Sequence, residues 1–191
     1  MQRIPTYLLA GGRSVRFGTD KARAELDRVP LILRLARQVE TIAAPLIVVA
    51  DRCDKYLDLG LTTIADVLPG LGPLGGLHAA MSHATGSCWT LVLSCDLLEL
   101  RTEWLDELER HAGRGVQAVA FRDRFWQAFP GLYHTSLLSP IEQQIESGEL
   151  AIGQLIRRTA SLGLALPADW PAVVQANTRG DLDAYAKGTA Y

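Results

Sequence analysis

The chain has 191 residues, of which 48% are hydrophobic and 21% charged. That is too apolar for a disordered chain and fits one globular domain over residues 1–191. Lys and Arg total 19 against 21 Asp and Glu, a net charge of −2. This argues against a dedicated polyanion binder such as a nucleic-acid protein, but not against a small phosphate ligand held by a few local donors.

In chain order, Tyr7-Leu8-Leu9-Ala10 reads as a buried strand ended by Gly11-Gly12. Pro30 opens a helix over residues 31–43, with Leu31, Leu35, Val39 and Ile42 at helical spacing, and Pro45 is read as its stop. Leu46-Ile47-Val48-Val49-Ala50 is a second buried strand of the β-branched kind, and Thr62-Thr63-Ile64-Ala65 a third. A Gly- and Pro-dense but apolar loop, residues 66–76, leads into a helix over 74–84. Trp89-Thr90-Leu91-Val92-Leu93 is the clearest strand and ends at Ser94-Cys95-Asp96.

A helix over 102–111 starts on a Thr read as its cap. Strands follow at 117–121 and 128–133, and helices at 136–147 and 152–158. Val173-Val174-Gln175-Ala176 is read as a last strand and 182–186 as a last helix. This alternation predicts an α/β, Rossmann-like three-layer sandwich with a mainly parallel sheet. Right-handed crossovers then bring loops 11–21 and 95–100 to one sheet edge, where ligands bind in such folds.

No apolar run approaches the roughly 20 residues that span a bilayer, so no membrane association is expected. The first nine residues do not form a secretory signal, which predicts a cytoplasmic protein. Cys53, Cys88 and Cys95 lack metal-type spacing and are read as reduced thiols.

Loop 11–21 carries the strongest chemical signal. Gly11, Gly12 and Gly18 let backbone amides approach a phosphate with no Cβ in the way. Arg16 and Lys21 supply charge, one as a planar fork and the other as a point charge. The loop fits neither GxGxxG nor GxxxxGK[ST]. Asp96, at a strand end, has the chemistry of a Mg²⁺ ligand, though a turn cap occupies the same kind of position. Asp66 suits either a guanine or ribose contact or a cap on the turn into Val67-Leu68-Pro69. Cys95 has no visible partner base and is read as a small packing residue. His78 and His83 are five apart and do not share a helical face at ligand spacing, so both are placed on the helix surface.

The stretch from Leu9 through Gly11-Gly12, Ser14, Arg16 and Gly18 to Asp20-Lys21 resembles the LAGGxSxRMGxDK signature of the MobA group of nucleotidyltransferases, the molybdenum cofactor guanylyltransferases, with Phe17 for Met. The resemblance continues at Asp66 with Gly72-Pro73-Leu74-Gly75-Gly76-Leu77, at Cys95-Asp96, and at Asn177-Thr178 with Asp181-Leu182, in family order. It implies a domain that binds GTP and Mg²⁺ and transfers GMP to molybdenum–molybdopterin, releasing pyrophosphate. By the same resemblance Leu9, Ala10 and Gly11 meet the nucleotide, Lys21 binds phosphate, Asp66 joins the nucleotide pocket, and Asp96 ligates the metal; Gly12 of the loop is added to the nucleotide contacts, and Arg16, by its charge, to the phosphate site. Transient contacts with molybdenum-insertion proteins and apo-molybdoenzymes are implied on the same footing.

The chain departs from the pattern at Arg28, where Gly is usual, at Val49, where Asn is usual, and at Leu97-Leu98, which replace the Pro of CDxP. The alternatives are CMP transfer to the same cofactor, a MobA-like transferase with another acceptor, or a non-catalytic nucleotide-binding regulatory module.

Overall fold

The computed structural model describes residues 3–11, 20–68, 70–86, 88–113 and 115–188. In chain order the strands and helices are β1 (Ile4–Leu9), β2 (Glu25–Leu26), β3 (Val29–Pro30), α1 (Leu31–Val39), β4 (Ala43–Ala50), β5 (Thr63–Ala65) and α2 (Gly72–His83). They continue with β6 (Trp89–Ser94), α3 (Thr102–His111), β7 (Ala118–Arg122), β8 (Trp126–His134), α4 (Leu138–Glu146), α5 (Ile152–Arg158), β9 (Ser161–Leu164) and α6 (Arg179–Ala186).

One sheet runs β5-β4-β1-β6-β8-β7-β9. All neighbours are parallel except at β8, which is antiparallel to both β6 and β7. The expected mainly parallel sheet is therefore present, with one reversed strand inside it. Tyr7, Leu8, Leu9 and Ala10 are buried in succession, so both faces of β1 are covered. β1 lies inside the sheet, pairing Leu8 with Val48 on one side and Leu93 on the other. The central strands and the helices against them share one hydrophobic core.

α1 buries Leu31, Ile32, Leu35, Ala36 and Val39, a stripe at helical period. It ends at Val39, four residues earlier than its apolar spacing suggests. Pro45 is not its stop but lies inside β4. The β1–β4 register shifts between Ile4↔Ala43 and Thr6↔Leu46, and Pro45, which has no N–H to give, sits in that irregularity. Ile42 belongs to the turn, donating its N–H to the Val39 carbonyl.

Three further expectations are corrected. Thr102 is the first residue of α3 rather than its cap; Arg101 holds the cap position without a side-chain cap bond and pairs with Glu99 and Asp169. Residues 173–176 form no strand. They make the single bridge Leu97↔Gln175, because the chain after β6 has already turned out of the sheet. His78 is not a surface group: its side chain is 12% exposed. Exposed His83 pairs with the Tyr7 hydroxyl at 3.0 Å.

The β2–β3 hairpin and β9 were not apparent from the sequence, since neither exceeds four residues. Asp27 and Arg28 form the hairpin turn at φ 54° and 63°. Arg28 thus holds the left-handed conformation that explains why Gly suits that position. Beneath the hairpin, Leu26, Leu31, Leu98, Ala176 and Leu182 form a second small core. It ties α6 to the segment following Asp96.

Candidate active site

β1 joins β4 on one side and β6 on the other, so the chain reverses its direction of travel across the sheet there. In open α/β sheets ligands bind outside the carboxyl ends of the strands at such a switch point. The ladder runs slightly past the strands and holds the starts of the loops. Ala10 N–H donates to Val49 O (2.8 Å), Cys95 N–H to Leu9 O (3.0 Å) and Asp66 N–H to Ala50 O (2.6 Å). The Leu9 carbonyl and the Ala10 amide are thus engaged in the sheet. Gly11, exposed, is the next residue along the loop. Gly12 and Arg16 lie outside the described residues.

Lys21 opens a 3₁₀ turn, Lys21–Arg23, whose N-cap is Asp20. Its Nζ stands 2.7 Å from Asp96 Oδ2. The side chains are 15% and 16% exposed, so this ion pair is mostly withdrawn from solvent. Asp96 Oδ1 is buried without a hydrogen-bond partner among the described residues. Such an atom is costly unless something else satisfies it. The Asp96 carboxylate is directed at Lys21, not at a turn amide. Its backbone is held separately, with Ala176 N–H donating to Asp96 O (3.0 Å) and Leu98 N–H to Val174 O (2.9 Å). The segment read as a last strand is thus a strap bonded to the backbone of residues 96–98.

Asp20 gathers more than its cap bond. The buried Tyr56 hydroxyl donates to it, and Lys55 Nζ and Arg23 Nε lie 3.6 and 3.8 Å from its Oδ2. Sequence reasoning missed Tyr56 and Lys55, because the segment 51–60 carries no periodic or motif signal. Arg23 also forks onto Asp58 and reaches the Lys55 carbonyl, stitching the two segments together.

Asp66 follows β5 and caps its own turn, with Leu68 N–H donating to Oδ1 at 3.0 Å. A Cβ on Gly75 of α2 would meet Asp66 Oδ2 at 3.2 Å, so the helix approaches the carboxylate at glycine distance. Burial raises the carboxyl above its ordinary value, against the lowering effects of the Leu68 amide and His78. A Cβ on Gly76 would likewise meet the Leu9 methyl groups at 3.2 Å. Asn177 donates its backbone N–H to Asp181, which also closes a capping box with Thr178. Burial and the adjacent Asp96 push the Cys95 thiol up to about 12, consistent with a packing group.

A cleft of about 520 Å³, lined by Asp20, Arg23, Glu25, Arg179, Leu182 and Asp183, opens beside the Lys21 turn. A larger one of about 660 Å³, lined by Trp89, Gln117, His134 and Ser136, lies at the opposite sheet edge. We place the candidate site at the first edge, since the strand ends, Gly11 and the Lys21–Asp96 pair meet there.

A mainly parallel sheet flanked by helices, with Gly11, Lys21 and Asp96 at its switch point, is a Rossmann-like architecture of the kind that binds nucleotides. Residues 6–162 match the family model of the MobA-like NTP transferase domain, and the chain belongs to that family. It is 28% identical over 187 residues to a molybdenum cofactor guanylyltransferase of Serratia proteamaculans, covering 94% of this chain and 92% of that one. A Pelotomaculum thermopropionicum relative, named a probable molybdenum cofactor guanylyltransferase, is 40% identical over 149 residues, covering 77% and 71%. The fold is similar to that of molybdopterin-guanine dinucleotide biosynthesis protein A from Archaeoglobus fulgidus, with TM-score 0.79, 21% identity, and 96% and 97% of the chains covered.

Proposed function

We propose that the protein is a Mg²⁺-dependent nucleotidyltransferase that moves GMP from GTP to molybdenum–molybdopterin and releases pyrophosphate. The observation that carries this reading is the Lys21–Asp96 pair at the switch point, with one buried Asp96 oxygen lacking a partner among the described residues. The names of the relatives direct the choice of GTP and of acceptor.

In the proposed reaction an acceptor phosphate oxygen bonds to the α-phosphorus of GTP. The bond from that phosphorus to the oxygen bridging to the β-phosphate breaks, and its electron pair leaves on pyrophosphate. Both reactants are anionic, so charge neutralisation and in-line placement matter more than a strong base. Lys21 donates to the phosphates of the leaving group. Gly11 lets the loop backbone come close to them, and Arg16 adds a second cation.

No cluster of three or more His, Cys, Asp or Glu suited to a metal occurs among the described residues. Mg²⁺ commonly takes only one or two carboxylates, completing its shell with water and substrate phosphates. Asp96, with its orphaned oxygen, fits that need and would hold the ion. When bound, Mg²⁺ supplies neutralisation of phosphate charge. Asp66 contributes its carboxylate to the nucleotide pocket, with α2 close against it at Gly75.

The reading places the protein in the cytoplasm as a single nucleotidyltransferase domain, with transient contacts to molybdenum-insertion proteins and apo-molybdoenzymes. No helix among the described residues is long and apolar enough to cross a membrane. The test is pyrophosphate release from Mg²⁺, molybdenum–molybdopterin and each NTP. GTP is expected to outcompete CTP, and a failure to release pyrophosphate from any nucleotide would overturn the reading.

A further inference from the structure

The turn that presents Lys21 is held from outside itself. Asp20 caps it by accepting the Ala22 N–H at 3.1 Å. The same carboxylate receives the Tyr56 hydroxyl, 3.2 Å from Oδ1 and 3.0 Å from Oδ2. Tyr56 comes from the segment between β4 and β5, 36 residues further along, and is fully buried. Arg23 and Lys55 flank its ring at 5.3 and 5.6 Å, and both also approach Asp20 Oδ2.

Burial first, and then the Asp20 charge, push the Tyr56 hydroxyl far above its ordinary value, so it remains a donor. A buried tyrosine hydroxyl needs a partner. Here that partner is the residue immediately before the lysine that pairs with Asp96. Neighbours in a capped 3₁₀ turn do not move independently, so anchoring Asp20 also fixes the origin and heading of Lys21.

We propose that Tyr56 is a positioning residue: acting through Asp20, it sets the turn that holds Lys21 against Asp96 and at the phosphate subsite. The inference rests on the phosphate-binding role given to Lys21 above. A cation displaced by about 1 Å is enough to lose much of an in-line arrangement.

Tyr56→Phe keeps the buried ring and removes only the hydroxyl. In the full chain it is expected to lower kcat/KM for GTP about ten-fold, with an unfolding midpoint near wild type. In a Lys21→Ala background the same substitution is expected to change kcat/KM by less than about two-fold, because its effect passes through Lys21. A purely packing role would give equal losses in both backgrounds, and that result, or wild-type kcat/KM in Tyr56→Phe, overturns the proposal. Hydrogen exchange at the Ala22 amide reads the clamp without turnover, and it should quicken about ten-fold in Tyr56→Phe. If the wild-type chain turns over no nucleotide, the functional reading fails by itself. Exchange then decides: unchanged Ala22 protection overturns the clamp, and faster exchange confined to the turn supports it.

Discussion

Lys21 Nζ meets Asp96 Oδ2 at 2.7 Å although 75 residues separate them in the chain. The pair joins the end of the glycine loop to the end of β6. It leaves Asp96 Oδ1 buried with no partner among the described residues. The pair offsets charge that is mostly buried on both sides. Lys21→Ala and Asp96→Ala are each expected to lower kcat by roughly 100- to 1000-fold. Asp96→Ala should in addition abolish the Mg²⁺ dependence of GTP binding, read by titration calorimetry with and without the ion. Circular dichroism should show both variants folded.

Asp66 is held at a cost. Its carboxyl sits above the ordinary value of 3.8, chiefly through burial. Between 3.8 and that raised value the folded chain binds more protons than the unfolded one, so this group's contribution falls as pH rises. Above the window the charged form is a standing penalty. Asp66→Asn retains an oxygen for the Leu68 cap and removes the charge. It is expected to raise stability at neutral pH by less than about 1 kcal/mol after solvent screening, with the gain vanishing near pH 4 or below. Urea unfolding at the two pH values measures this. The same variant is expected to lose discrimination between GTP and CTP.

Gly75 is where α2 closes on the Asp66 turn. A Cβ there would lie 3.1 Å from the Leu68 carbonyl oxygen and from Leu71 Cβ, and 3.2 Å from Asp66 Oδ2. Gly75→Ala improves helix propensity by about 1 kcal/mol, and crowding offsets it by a similar amount. Stability is therefore expected within about 1 kcal/mol of wild type. The displaced Asp66 turn should raise the Kd for GTP several-fold in calorimetry. Unchanged affinity would separate this loop from the nucleotide pocket.

Arg28 holds φ 63° in a two-residue hairpin turn, a conformation unfavourable for a residue with a Cβ. Arg28→Gly relieves it, and the greater freedom of glycine in the unfolded chain offsets part of the gain. The expected outcome is a stabilisation of up to about 1 kcal/mol in urea unfolding. Turnover should be unchanged, because the hairpin touches the second small core and not the Lys21–Asp96 pair.

Much of the architecture was legible in local pattern. Buried runs such as Ile47 to Ala50 and Leu91 to Leu93 mark central strands, since a strand covered on both faces has no polar alternation to preserve. The stripe of α1 and the strand-end position of Asp96 were equally readable. Pro45 misled because proline is a stop only where an N–H is needed, and the register irregularity removes that need. Residues 173–176 misled because β-branched composition describes a pairing preference and not the length of available partner.

By itself, the sequence determined the α/β class, the strand ends that deliver Gly11 and Asp96 to one edge, and the residue types suited to phosphate and metal. These follow from period, glycine and charge, which act over a few residues. Only the tertiary structure decided that Lys21 faces Asp96, that β8 enters between β6 and β7, that 173–176 holds the backbone at Asp96, and that Tyr56 holds Asp20. Each joins segments far apart in the chain, where packing of the shared core selects partners that no local spacing encodes.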